Sequence, residues 1–378
     1  MKILKKFAAT ICATIMVVST MSMGILATEP QDVGVSAIND FKSVSKEKIV
    51  DFFVENDRTL YNIEGFEFED GDVSIEGNQI FFSTTAIVRE TLKANSVDEL
   101  PYVAGYMSAF GISSYENISD SSKRHLIQNA IELDNEYLTI GQIGLVDNTV
   151  SLVDKTAAVF KEYIGETNEY SYGIKASMDL DDLDNINKNS ITLMAISDLE
   201  GTYDISVYAV RSAEELFQNG QNDALAKIQE ITVNPNWVAN PIDNWSIYNR
   251  IAARDYAYRY YKNYNSAYTK YSSDCANFVS QCLYAGGVPT SSEWRKDTTT
   301  WIRVKELRPY MVNNGYATRE SYTNATAGSF ATTTSEGHAV LITLNDGAKV
   351  AYTAHTRDVK NQVISTYGNF KYYVIKNY

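Results

Sequence analysis

Cysteine and histidine are both scarce here, with three of each among 378 residues. Cys12 lies in the apolar N-terminal run, so only Cys275 and Cys282 remain for the body of the chain. Two cysteines cannot make a disulfide framework, and a chain of this length must rely on large hydrophobic cores instead. Cations are also outnumbered, 33 Lys and Arg against 47 Asp and Glu, for a net charge of −14. Such a chain repels nucleic acid and anionic lipid heads, so no nucleic-acid partner is expected. Beyond the first thirty residues there is no apolar run long enough to span a bilayer.

The N-terminus has what the rest lacks. Lys2, Lys5 and Lys6 precede an uncharged, mostly apolar run from Phe7 to Leu26, and Ala27 is a plausible cleavage position. This pattern predicts a secretory signal peptide over residues 1–27 and an extracellular location. Retained, the same run would be just long enough to serve as an anchor. Removing it takes three lysines and no acids, which makes the mature chain more acidic still. Export without disulfides is a bacterial habit.

Length favours two domains. Ile38, Phe41, Val44, Ile49, Phe52 and Phe53 predict an amphipathic helix over 36–56, followed by a strand over 78–88. Helices are expected near 101–110 and 121–137, the second capped by Asp120, Ser121 or Ser122. Stretches 149–153, 156–164, 170–178, 190–196 and 202–210 are rich in β-branched or aromatic residues and read as strands, with a closing helix over 213–228. This gives an α+β N-terminal domain over 36–233, in which His125 sits on a solvated helix face. Residues 234–244, with two prolines and four asparagines, form a linker. A second domain starts at Trp245 with a helix to about Asn263 and runs to residue 378. Its stripe of Tyr248, Ala252 and Tyr256 is a core face.

The chemistry concentrates in Tyr271-Ser-Ser-Asp-Cys-Ala-Asn-Phe-Val-Ser-Gln281. Ser273 or Asp274 is expected to cap a helix that ends at Gly286-Gly287, with Cys275 in its first turn. There the unpaired N–H groups and the helix dipole favour a thiolate. Cys275 and Cys282 are seven residues apart on one helix, roughly 10 Å, too far for a disulfide or a shared zinc. Cys282 is therefore a small buried hydrophobe. The two remaining histidines flank an expected hairpin: His338 opens one strand and His355 closes the next. With Asp346-Gly347 as a two-residue turn, Asn345 would pair with Ala348 and His338 would face His355 on the side that also carries Val340 and Ile342. A thiol, one imidazole to move its proton and a second to orient the first make the logic of a Cys-His-X triad.

Several of these residues also carry a resemblance. Tyr248-Asn-Arg-Ile-Ala-Ala-Arg-Asp-Tyr-Ala257, Asn265-Ser-Ala-Tyr268, Asp274-Cys-Ala-Asn-Phe-Val-Ser-Gln281, Gly286-Gly287, Trp294, Trp301, Gly337-His338 and Thr353-Ala-His-Thr356 together resemble the amidase domain family of secreted Gram-positive bacterial proteins. That family is similar to NlpC-type and CHAP cell-wall peptidases, which implies a papain-like fold over about 245–378, with a catalytic Cys helix packed on an antiparallel sheet. It implies Cys275 as nucleophile, His338 as general base and acid, and His355 as the orienting third member. Tyr271, Ser272, Ser273 and Asp274 are the supporting or oxyanion candidates, and Asn277, Gln281, Trp294 and Trp301 belong to the structural motif. No metal or cofactor is implied. The family usually has a Gly-Asp step before the histidine strand; here the stretch is Ala327-Gly-Ser-Phe-Ala331, without the acid. The N-terminal half faintly resembles NTF2-like domains.

The expected function is thus a secreted cysteine amidase or peptidase that hydrolyses an amide through a thioester, in peptidoglycan peptides or another extracellular amide. Two alternatives use the same residues. One is an acyltransferase or transpeptidase with the same triad; the other is a non-catalytic wall-binding protein with a degenerate site. The residues carry no signal for oligomeric state.

Overall fold

The computed structural model of the chain describes residues 34–134, 137–196, 201–233 and 248–376. The expected signal peptide, the linker over 234–244 and Trp245 lie outside the described residues. The N-terminal half begins with helix α1 (Val35–Asp57), which buries Phe41, Ser45, Ile49, Phe53 and Asp57, one residue per turn along a single stripe. Strands β1 (Tyr61–Glu76) and β2 (Gln79–Leu92) form a long hairpin around Gly77, whose φ of 62° suits a tight turn. The expectation of a strand at 78–88 holds, but β1 had no counterpart in it. This acidic edge strand pairs on one side only, and its irregular, mostly exposed positions carry little apolar signal.

Helix α2 (Pro101–Ala109) follows as expected, while α3 (Asp120–Ala130) stops short of the expected 137 and is capped by the Ser119 hydroxyl, which accepts from the Ser122 N–H. The next element overturns an expectation. Residues 149–153 and 156–164 are not strands; α4 (Ile140–Lys161) runs through the first and most of the second. Its buried residues Val146, Thr149, Val150, Val153, Ala157 and Phe160 recur every three or four positions, and a Thr139/Gln142 capping box starts it. Helical periodicity outweighs the β-propensity of its valines and threonines. Strand β3 (Thr167–Asp179) contains the expected stretch 170–178, and β4 (Thr192–Ile196) falls inside 190–196. The stretch 202–210 is strand only at β5 (Thr202–Asp204), because the Asp204 carboxylate accepts from Ser206 N–H and starts a 3-10 turn. Helix α5 (Ala213–Val233) crosses α2 where Gly105 faces the Phe217 carbonyl and Gly220 faces that of Tyr102.

The C-terminal half opens with α6 (Arg250–Tyr260), shorter than the expected 245–263 and capped by the Asn249 side chain, which accepts from Ala252 N–H. Then come α7 (Cys275–Ala285), α8 (Thr299–Ile302) and α9 (Val304–Asn313). Strands β6 (Ala317–Glu320), β7 (Phe330–Thr333), β8 (Ala339–Asn345), β9 (Val350–Ala354), β10 (Val359–Val363) and β11 (Phe370–Ile375) complete it. The result is a mixed α+β molecule with one large, mostly antiparallel sheet of eleven strands. The sheet runs β1-β2-β3-β10-β9-β8-β7-β11-β6, with β4 and β5 branching from β3.

The two halves therefore share a sheet. They meet at a parallel pairing of β10 with β3, where Gln362 lies beside Ser171. Ser171 donates to the Lys360 carbonyl (2.7 Å), and the Asn361 amide donates to that of Glu169 (3.0 Å). Leu344, Ala351 and Val363 join the N-terminal core, whereas α6, α7, α8 and α9 cover a separate core on β7, β8 and β11.

The hairpin β8–β9 corrects the register. Asn345 pairs with Val350 across a four-residue loop, not with Ala348 across a two-residue turn. The Asp346 carboxylate accepts from the N–H groups of Ala348 and Lys349, which widens the loop. An irregularity between Ile342 and Leu344 then leaves Leu341 opposite Thr353. Extended outward, this register sets His355 opposite Ala339, not His338. A one-residue slip exchanges the faces of a strand, so the helices cover Ala339 and Leu341, while Val340 and Ile342 pack on the other side.

Candidate active site

Cys275 is the first residue of α7, and this helix is buried from Cys275 through Leu283. It packs through Phe278, Val279, Cys282 and Leu283 between the sheet and the neighbouring helices α6, α8 and α9, and buries the polar Asn277, Ser280 and Gln281 with them. The expected motif residues supply the polar ties. The Trp301 indole donates to the Asn277 side-chain oxygen (2.9 Å), while the Asn277 amide donates to the Thr269 carbonyl (2.9 Å). Tyr256 donates to the Gln281 side chain (2.7 Å), and Trp294 donates to the Ser280 hydroxyl (3.3 Å). These bonds fix the direction of α7 against the loop that leads into it. Cys282, on the same helix, is fully buried, and both thiols are free.

The Cys275 sulfur is only 2 % exposed as a residue, and it sits among donors. Backbone N–H groups of Ala339, Ala276 and Cys275 itself and the Ser273 hydroxyl all point at it. Burial nevertheless outweighs them and pushes the thiol above its ordinary range. The expected lowered thiol is thus corrected: withdrawal from water costs the anion more than the helix tip returns.

His338 is the residue directly before Ala339, in the turn that leads into β8. Its backbone is pinned: the His338 N–H donates to the Thr333 hydroxyl (3.2 Å), and its carbonyl accepts from the Thr333 N–H (3.0 Å). Burial pushes the imidazole down to about 4, and the nearby Arg357 cation adds to the effect. At neutral pH the ring is an uncharged base.

His355 is held differently from the expectation. Its Nε2–H donates to the Tyr260 carbonyl (2.9 Å), and its Nδ1 shares a hydrogen bond of 2.6 Å with the Asp274 carboxylate. The ring lies between Tyr264 and Phe278, with centroids 3.9 and 4.0 Å away. Both nitrogens are committed, so His355 does not orient His338 through a hydrogen bond. It ties the end of β9 to α6 and to the residue before Cys275.

Asp274 stands at the N-cap position without capping through its side chain. Its Oδ1 accepts from the Tyr271 N–H and the Asn277 amide, both at 2.9 Å, and its Oδ2 meets His355. A carboxylate so placed is an acceptor and cannot serve an oxyanion. Tyr271 is committed too, with its N–H to Asp274 and its hydroxyl to Asp297 (2.8 Å). Ser273 serves the sulfur, and Ser272 lies exposed in the bend. The first intrahelical bond runs from Phe278 N–H to the Asp274 carbonyl, so the N–H groups of the first turn precede the helical ladder. The partnership of Asp274 with His355 was not foreseen, though an Asp directly before the cysteine was its one visible sign.

Residues 247–375 match the model of a family described as "Putative amidase domain". Two proteins of Bacillus subtilis (strain 168) are similar over short stretches. "Uncharacterized protein YhbB" is 34% identical over 77 residues, 18% of this chain and 25% of the relative. "Uncharacterized protein YjcM" is 39% identical over 69 residues, 18% of this chain and 17% of the relative. The chain thus spans a quarter or less of the curated relatives it matches. No solved structure matches. The family match supports an amide-hydrolysing function for the C-terminal half.

Proposed function

We propose that the C-terminal half is a cysteine amidase in which Cys275 is the nucleophile and His338 its base. One observation carries this reading. The sulfur at the tip of α7 accepts a hydrogen bond from Ala339 N–H, and the residue directly before Ala339 is His338, a histidine whose ring is not tied up as that of His355 is. In this pair both the thiol and the imidazole rest neutral, since burial raises the one and lowers the other. His338 therefore removes the thiol proton as the sulfur attacks the substrate carbonyl, rather than resting as a preformed ion pair.

The tetrahedral oxyanion would be met by N–H groups of the first turn of α7, which are aligned with the helix dipole. His338 then returns the proton to the departing amine, leaving an acyl thioester on Cys275. Water, deprotonated by the same imidazole, releases the acid and restores the thiol. The exported character read from residues 1–27 makes peptidoglycan peptides, or another extracellular amide, the substrate class. A papain-like arrangement of helix and sheet in this half, and an NTF2-like fold in the other, are part of the same proposal.

Cys275→Ala in the full chain should abolish release of amine from peptidoglycan fragments while leaving the thermal melt within a few degrees. Undiminished hydrolysis by that variant would sink the reading. The raised thiol favours a rival, a wall-binding protein with an inert site. That rival gains if the wild type binds cell walls but releases no amine across the pH range.

A further inference from the structure

The hairpin β8–β9 has two ends with different company. At one end are His338 and His355. At the other, the loop Asp346–Lys349 is pushed into the N-terminal half. Lys349 is fully buried there: its ammonium donates to Asp57 (2.8 Å) at the end of α1 and to Glu90 on β2. The rings of Tyr61, Tyr170 and Tyr172 surround it at 4.3, 5.0 and 5.6 Å from the nitrogen. Next to it, the Asp346 carboxylate accepts from the Tyr61 and Tyr170 hydroxyls, at 2.6 and 2.5 Å. Asn345 adds a third tie, its N–H donating to the Tyr163 hydroxyl (3.2 Å).

We infer that the N-terminal half is a fixed frame for the catalytic hairpin, and that Lys349 is a positioning residue that sets His338 from the far end of β8. The inference rests on His338 being the base. The groups that face Lys349 come from α1, β1, β2 and β3, so the whole N-terminal sheet grips this one side chain. Strands of this length are stiff, roughly 3.3 Å per residue, and β8 is held between paired neighbours on both sides. A shift of the loop is therefore delivered about 20 Å away, at the start of the strand, beside Cys275.

Two measurements test this in the full chain. Replacing the trio together (Lys349→Met, Asp57→Leu, Glu90→Met) removes the charges without orphaning any of them. Positioning predicts that kcat falls at least tenfold with KM within twofold, and that the acid limb set by His338 moves. Unchanged kcat and an unmoved limb would overturn the proposal. Native-state hydrogen exchange in urea needs neither activity nor that variant to fold. The amides of β8 and β9 should lose protection together with those of β1–β3. If β1–β3 open at lower urea while β8, β9 and the Cys275 helix stay protected, the frame is refuted and the amidase reading is untouched.

Discussion

Asp274 and His355 lie 81 positions apart in sequence and 2.6 Å apart in space, buried between the Cys275 helix and the sheet. Each is held by other partners as well, so the pair acts as a clasp on the residue that precedes Cys275. His355→Leu should leave the Asp274 carboxylate buried with one partner fewer, at a cost of about 1.5–3 kcal/mol in stability. Urea unfolding reads the loss. Activity should fall with it, and Asp274→Asn should lower kcat more than it raises KM.

The pH dependence follows from the two shifted groups. His338 is pushed down to about 4, so its base form persists through the weakly acidic range. The acid limb of kcat/KM should therefore lie near pH 4 rather than near 6.5. The same shift makes protonation of His338 destabilising: its folded value lies below its unfolded one, so this stability is present above about 6.5 and lost as pH falls towards 4.

Alkylation of Cys275 follows the opposite sense. Burial pushes the thiol up, so iodoacetamide should label it slowly at pH 7 and faster as pH rises through and beyond 9. A rate already at its plateau at pH 7 would show that the site holds a thiolate. Cys282, more deeply buried and pushed further up, should stay unlabelled in the native state.

Glu90 is pushed well above the carboxylate range, first by burial, and Lys349 opposes that push without reversing it. A proton on Glu90 shared with Asp57 also accounts for the two carboxylate oxygens, Asp57 Oδ1 and Glu90 Oε1, that otherwise lack partners. Glu90→Gln should therefore be tolerated. Because the folded value lies above the unfolded one, the contribution of Glu90 is present below about pH 4.5 and lost as pH rises. Wild type should lose stability relative to Glu90→Gln over that rise. Lys349→Met alone leaves the buried Asp57 carboxylate without its cation and should cost about 3–5 kcal/mol.

Helices α2 and α5 depend on two glycines. A Cβ at Gly105 or at Gly220 would fall 1.9 Å from a backbone carbonyl oxygen of the facing helix. Gly105→Ala and Gly220→Ala should each lower stability by about 3 kcal/mol or more, since backbone rather than a rotatable side chain must yield. Thermal melts compare them with Gly141→Ala, a position with nothing within 4 Å.

Local signals in the chain were enough to find the thiol at the start of α7, the separation of Cys275 from Cys282, and most helices. Those features depend on residues within a turn or two of each other, where spacing alone settles which side chains share a face. The same reading failed at α4, where the composition of a few residues was weighed above the period of twenty-two. It failed more instructively at the β8–β9 hairpin. Counting from a two-residue turn paired His338 with His355, but the Asp346 carboxylate widens the loop and one irregular step moves the register. An offset of one residue turns a strand over, so His355 left the proposed triad and met Asp274.

The sequence by itself determined which residue types could do chemistry here: three cysteines, two of them beyond the N-terminal apolar run, and three histidines in an acidic chain, with one thiol placed at a helix tip. Only the tertiary structure decided their states and partners. Protonation depends on desolvation and on neighbours distant in sequence, and so the thiol at a favourable helix end is raised by its burial. The same holds for Lys349, an ordinary residue after a turn in the sequence. It became a buried cation only because α1, β1, β2 and β3, all far upstream in the N-terminal half, close around it.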